Sequence, residues 1–190
     1  MCGIVGVVGN SNAVDILIQG LEKLEYRGYD SAGIYVTDAP DKGCLVKSVG
    51  RIADLRAKIS SDVKGSTGIG HTRWATHGQA TEDNAHPHTS ETGRFVLVHN
   101  GVIENYLQIK EEYLQGHKFK GQTDTEIAVH LIGKFVDEDG LSVLEALKKS
   151  LHIIQGSYAF ALVDSQAPDT IYVAKNKSPL LIGVGEGYNM

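Results

Sequence analysis

A chain of 190 residues with 42% hydrophobic and 22% charged side chains is long enough to bury one proper core. Its 18 Lys+Arg against 23 Asp+Glu give a net charge of −5, with no basic surplus for gripping a phosphate backbone, so nucleic acid is excluded as the main ligand. No apolar run approaches the roughly 18 residues of a membrane helix, and Cys2 and Cys44 make neither a disulfide framework nor a Cys-x-x-Cys pattern. The N-terminus lacks the basic region and cleavage site of a secretory signal, and a soluble, cytoplasmic chain is the expectation. Glycine, at 22 residues, is over-represented and signals tight turns and close backbone approaches.

Gly3 to Val8 is short, β-branched and glycine-bounded, which predicts a buried strand. Asn12 can cap a helix whose apolar positions Val14, Leu17, Ile18, Leu21 and Leu24 keep the 3.6-residue period. Ala32–Thr37 and Cys44–Val49 read as a strand pair, and Ile52, Leu55 and Ile59 as a short helix. Thr67–His71 and Arg94–Asn100 look like strands joined by a loop of more than twenty residues, a length that usually marks a functional segment. Helical patterns follow over Asn105–Gln115, Asp124–Val136 and Leu141–Leu151, then strands over Ser157–Asp164, Thr170–Ala174 and Leu180–Val184. A block of helices between runs of strands points to an α+β layered sandwich with much antiparallel pairing, not a doubly wound sheet.

Removal of Met1 would put a free amine and a thiol on Cys2, bringing base and nucleophile together without a histidine. The alternative is an ordinary second residue that happens to be cysteine. In His71-Thr72-Arg73-Trp74-Ala75-Thr76-His77-Gly78, Arg73 offers a planar fork matched to a carboxylate and Thr76 a hydroxyl; a surface loop would also account for them. His99-Asn100-Gly101 ends a strand, so the Asn100 amide and the Gly101 N–H can make an oxyanion hole, although Asn-Gly is also a favoured turn pair. Thr123 or Asp124 caps the next helix, or Asp124 holds an ammonium group. Five histidines, His71, His77, His86, His88 and His99, crowd the middle of the chain without metal-ligand spacing, and neither metal nor cofactor is expected.

Taken together, Cys2 to Gly6, Leu24 to Gly33, His71 to Gly78, His99 to Asn105 and Thr123 to Glu126 resemble the N-terminal-nucleophile glutamine amidotransferases, in the right order along the chain. Tyr26-Arg27-Gly28-Tyr29-Asp30 and Arg73-Trp74-Ala75-Thr76-His77 most resemble the branch of that family that aminates fructose 6-phosphate. The resemblance implies a four-layer αββα sandwich over residues 2–190, continuing further than Met190 in the family, with sugar-isomerase domains absent from this chain. It implies Cys2 as nucleophile, Asn100 and Gly101 as oxyanion hole, and Arg73, Trp74, Thr76 and His77 around L-glutamine. Asp124 then takes the α-ammonium and Arg27 supports the N-terminal residue from behind. The whole protein would be a homo-oligomer that passes ammonia to fructose 6-phosphate. A glutaminase part of another amidotransferase, and a glutamine-binding module without catalysis, are the competing readings.

Overall fold

The computed structural model describes residues 2–9, 12–74 and 78–190. The first sheet has the order β1-β4-β2-β3, from Gly3–Val8 (β1), Ser31–Thr37 (β2), Cys44–Val49 (β3) and Thr67–Arg73 (β4), every pair antiparallel. The second runs β5-β6-β7-β8, from His88–Thr89 (β5), Phe95–Ile103 (β6), Gly156–Asp164 (β7) and Ile171–Asn176 (β8), again antiparallel throughout.

Side-chain alternation along each strand builds three apolar layers. From β1, Val5 and Val7 join Ala32, Ile34 and Val36 of β2 against α1 (Ala13–Leu24) and α2 (Ile52–Lys58). Between the sheets, Tyr35 and Ile69 of the first meet Val96, Val98, Ala161 and Val163 of the second. Beyond them, Phe95, Leu97, Phe160 and Leu162 pack under α3 (Tyr106–Tyr113), α4 (Asp124–Asp137) and α5 (Val143–Ile153). The result is the expected αββα stack. Each fully buried Val, Leu, Ile or Phe contributes about 1.5–3 kcal/mol, so truncating Ile69, which is 0% exposed, costs about 2–5 kcal/mol.

Three local expectations change. Asn12 stands at the N-cap of α1 without a side-chain cap bond, and the Ala13 N–H goes to the Gly65 carbonyl at 3.1 Å. Asn100-Gly101 is not a turn: β6 runs on to Ile103, with Asn100 opposite Ala159 and Gly101 opposite Tyr158. Leu180–Val184 is not a buried strand either. Leu181 is 91% and Val184 87% exposed, and the segment contributes only the isolated bridge Val184↔Asn189, while Asn189 exchanges two hydrogen bonds of 3.0 Å with Val8. Among the described residues no helix is long and apolar enough to cross a membrane.

Candidate active site

The register of β1 on β4 sets the site. Gly3 lies opposite Thr72, whose hydroxyl accepts the Gly3 N–H at 3.1 Å, so Cys2 falls beside the end of β4. There the Trp74 N–H points at Cys2 Sγ (3.3 Å) and the thiol reaches the Trp74 carbonyl (3.6 Å). Burial pushes the Cys2 thiol pKa up; the Trp74 amide and the Arg73 charge pull the other way. The turn before β2 wraps this strand end. Asp30 donates its N–H to the Arg73 carbonyl (3.2 Å), and the Tyr29 ring meets Trp74 edge-on at 5.5 Å. Gly28 makes the approach possible, since a Cβ there would stand 2.7 Å from the Arg73 carbonyl carbon.

Across the inter-sheet space, alternation on β6 turns Asn100 toward Cys2 and His99 toward the helices. Asn100 Nδ2 donates to the Cys2 carbonyl (3.2 Å), and its Oδ1 accepts from His71 Nε2 (3.0 Å). The same His71 nitrogen faces the His99 carbonyl at 3.0 Å; both partners only accept, so Nε2 carries the proton. Burial drives His71 down to about 3, which keeps the ring neutral. Gly101 sits at φ +141°, and a Cβ there would lie 2.0 Å from the Ser157 carbonyl oxygen, so no other residue fits.

Behind His71 lies a buried stack that sequence reasoning did not assemble. The rings of His71 and His86 stack at 4.1 Å, and His88 meets His86 edge-on at 4.7 Å. His86 Nε2 and His99 Nδ1 both lie 2.9 Å from the Thr125 hydroxyl, and His99 Nε2 reaches the Ser157 carbonyl at 3.3 Å. Burial lowers the pKa of all four histidines, leaving them neutral at pH 7. The proton order follows: His99 Nε2 donates to Ser157, the Thr125 hydroxyl donates to His99 Nδ1, and His86 Nε2 donates to Thr125. The one advance signal was the crowding of histidines in the middle of the sequence, which carries no information about who meets whom.

Thr123, not Asp124, caps α4, its hydroxyl accepting the Glu126 N–H at 3.2 Å. That frees Asp124 for tertiary use: buried, it accepts the Ile103 N–H at 2.8 Å. Arg73 is also buried, and its guanidinium donates to the carbonyls of Gln79 (3.2 Å) and Gly78 (3.3 Å), with Asp30 at 4.0 Å. A cleft of about 860 Å³ opens between the sheets. Cys2, Arg27, Trp74, Asn100, Gly101, Ile171 and Leu180–Gly183 are among the residues that line it; Arg73 and Asp124 are not. Thr76 and His77 lie outside the described residues.

A thiol with a backbone donor, facing an amide whose orientation a neutral histidine fixes, suits attack on a carbonyl carbon. Residues 71–189 match the family of the glutamine amidotransferase domain. The chain belongs to that family. This glutamine amidotransferase domain is 84% identical, over its whole length, to a glutamine–fructose-6-phosphate aminotransferase (isomerizing) of Streptococcus pyogenes, and 83% to one of Streptococcus mutans. It spans 31% of each of those relatives. A solved structure of a Bacillus subtilis glutamine phosphoribosylpyrophosphate amidotransferase, complexed with ADP and GMP, superposes with a TM-score of 0.84 at 31% identity. The match covers 100% of this domain and 41% of that chain, and it supports the N-terminal-nucleophile amidotransferase fold expected from the sequence.

Proposed function

We propose that Cys2 attacks the side-chain carboxamide of L-glutamine, releasing ammonia and leaving a γ-glutamyl thioester that water hydrolyses to glutamate. With Met1 removed, the Cys2 α-amine takes the thiol proton and passes it to the departing ammonia. The observation that carries this reading is the pairing of Cys2 with Asn100, whose amide is oriented by His71 so that its Nδ2 donor, not its Oδ1 acceptor, faces Cys2. Asn100 Nδ2 and the Gly101 N–H take the charge of the tetrahedral oxyanion.

At the other end of the substrate, Arg73 exchanges its two loop carbonyls for the α-carboxylate, alongside Thr76 and His77. Asp124 takes the α-ammonium, Trp74 covers the bound amino acid, and Arg27 supports Cys2 from behind. No cofactor or metal enters these steps. Ammonia then reaches fructose 6-phosphate in a part of the protein outside this chain, where the product is glucosamine 6-phosphate. The kinship with the streptococcal aminotransferases supports that acceptor. The same reading puts the protein in the cytoplasm, in keeping with two unpaired cysteines, and makes the longer protein a homo-oligomer, which sedimentation reads directly.

The test is glutamate release by a chain whose intact mass begins at Cys2, beside Cys2→Ala and a chain retaining Met1. Turnover in the first alone supports the reading. Full turnover with Met1 attached overturns the amine as base. Tight glutamine binding without turnover leaves a binding module.

A further inference from the structure

On the outer helix layer, three segments that share no residue with the cleft bring nitrogen and oxygen donors together. Glu91 lies in the turn between β5 and β6, His117 follows α3, and His130 is buried in the middle of α4. His117 Nδ1 stands 2.9 Å from Glu91 Oε2 and 3.4 Å from His130 Nδ1, and the three donor atoms all fall within 4.8 Å of one another. The Lys118 N–H holds the other Glu91 oxygen at 3.3 Å, and the Phe119 ring covers His130 at 4.7 Å.

The His117–Glu91 contact of 2.9 Å has the length of a hydrogen bond, but the pairing of the two imidazoles does not. A nitrogen pair at 3.4 Å is longer than the usual 2.7–3.2 Å N–H bond. It matches the separation, about 3.3–3.4 Å, of two nitrogens each about 2.0–2.1 Å from one tetrahedral zinc ion. On the far side of the ring, Glu138 Oε1 lies 3.2 Å from His117 Nε2 and accepts its proton. With Nε2 turned to Glu138, Nδ1 is the ring atom that faces both Glu91 Oε2 and His130 Nδ1. A carboxylate on the outer nitrogen is also the usual partner of a metal-bound histidine.

We propose that Glu91, His117 and His130 bind one divalent transition-metal ion of the zinc class, with Glu138 orienting His117. Two imidazoles and one carboxylate suit zinc rather than magnesium or calcium, which prefer oxygen alone. The carboxylates of Glu91 and Glu138 balance the double charge, and a water completes four-coordination. The ion ties the β5–β6 turn and the segment after α3 to the middle of α4, so its effect is on the stability of the outer layer.

Zinc is titrated calorimetrically into the chelator-treated chain carrying Cys2→Ser, which removes the cleft thiol as a competing ligand, with thermal unfolding followed in parallel. The expected result is one equivalent bound at micromolar Kd or tighter, a zinc-dependent rise in Tm that chelator reverses, and a visible absorption band when Co2+ replaces zinc. His117→Gln and Glu91→Gln each remove a ligand on exposed or half-exposed segments and weaken binding by more than about a hundredfold; Glu138→Gln weakens it about ten- to a hundredfold. The competing arrangement is a His117 imidazolium bridging Glu91 and Glu138. Absence of stoichiometric binding, or binding that survives both His117→Gln and Glu91→Gln, overturns the proposal.

Discussion

Replacing Asn100 separates its two duties, fold and chemistry. Asn100→Ala deletes the donor 3.2 Å from the Cys2 carbonyl and the acceptor 3.0 Å from His71 Nε2. His71 keeps the His99 carbonyl at 3.0 Å, so no buried N–H is stranded. The fold therefore loses only the net value of its exchanged hydrogen bonds, about 1–2 kcal/mol. The transition state loses an oxyanion donor, typically about a hundred- to a thousandfold in turnover, or about 2.7–4 kcal/mol. Asn100→Asp sharpens the contrast: it keeps an acceptor for His71 but sets a carboxylate where negative charge develops, and turnover falls at least as far. Initial rates of glutamate release against glutamine concentration give kcat and KM separately, with urea unfolding on the same samples. A kcat within about fivefold of wild type in either variant, or a loss carried by KM alone, would refute the oxyanion role.

An electrophilic glutamine analogue is expected to alkylate Cys2 in the cleft and not Cys44 on β3; peptide mass spectrometry placing the adduct on Cys44 sinks the assignment. Arg73→Lys is expected to raise KM more than it lowers kcat, because a point charge cannot replace a fork spanning two acceptors; equal changes in both constants count against it. Gly101→Ala places a methyl 2.0 Å from the Ser157 oxygen at φ +141°, and a destabilisation of at least about 2 kcal/mol is expected in urea; a wild-type midpoint contradicts it. Stability should decline on acidification. His71 is neutral in the fold down to about pH 3 but takes a proton in the unfolded chain below about 6.5, so its contribution is complete above 6.5 and is lost as pH falls through that window. Urea midpoints at pH 7.5 and 5.5 check the sign, and a higher midpoint at 5.5 reverses it.

The layers were legible because periodicity is local. Leu17, Ile18 and Leu21 announce one face of α1, and the unbroken apolar run Phe95-Val96-Leu97-Val98 announces two buried faces of β6. Composition misled where it stood in for a partner. Leu180-Leu181-Ile182 has the apolar character of a strand, yet no strand pairs with it and Leu181 stays in solvent. Asn100-Gly101 has the turn dipeptide, but pairing with Ala159 and Tyr158 holds it extended. Of the site, Cys2, Asn100 and Gly101 were readable as chemistry. The bonds that aim them were not, since His71, His86, His99 and Thr125 meet only after two sheets have stacked.

The hydrogen bonds from His86 through Thr125 and His99 to Ser157 have a single sense: His86 starts the line, and Thr125 and His99 each give one proton and receive one. Such a line has parity. Exchanging Thr125 for valine breaks two of these bonds and leaves His86 with a buried proton and His99 with a buried lone pair, and a second exchange at one histidine cancels the fault at that histidine. Substitutions at positions 86, 99 and 125, none of which touches Cys2, should therefore combine non-additively, with double-mutant coupling energies of about 0.5–3 kcal/mol. Drift at any one of these positions is constrained by the choices already made at the other two.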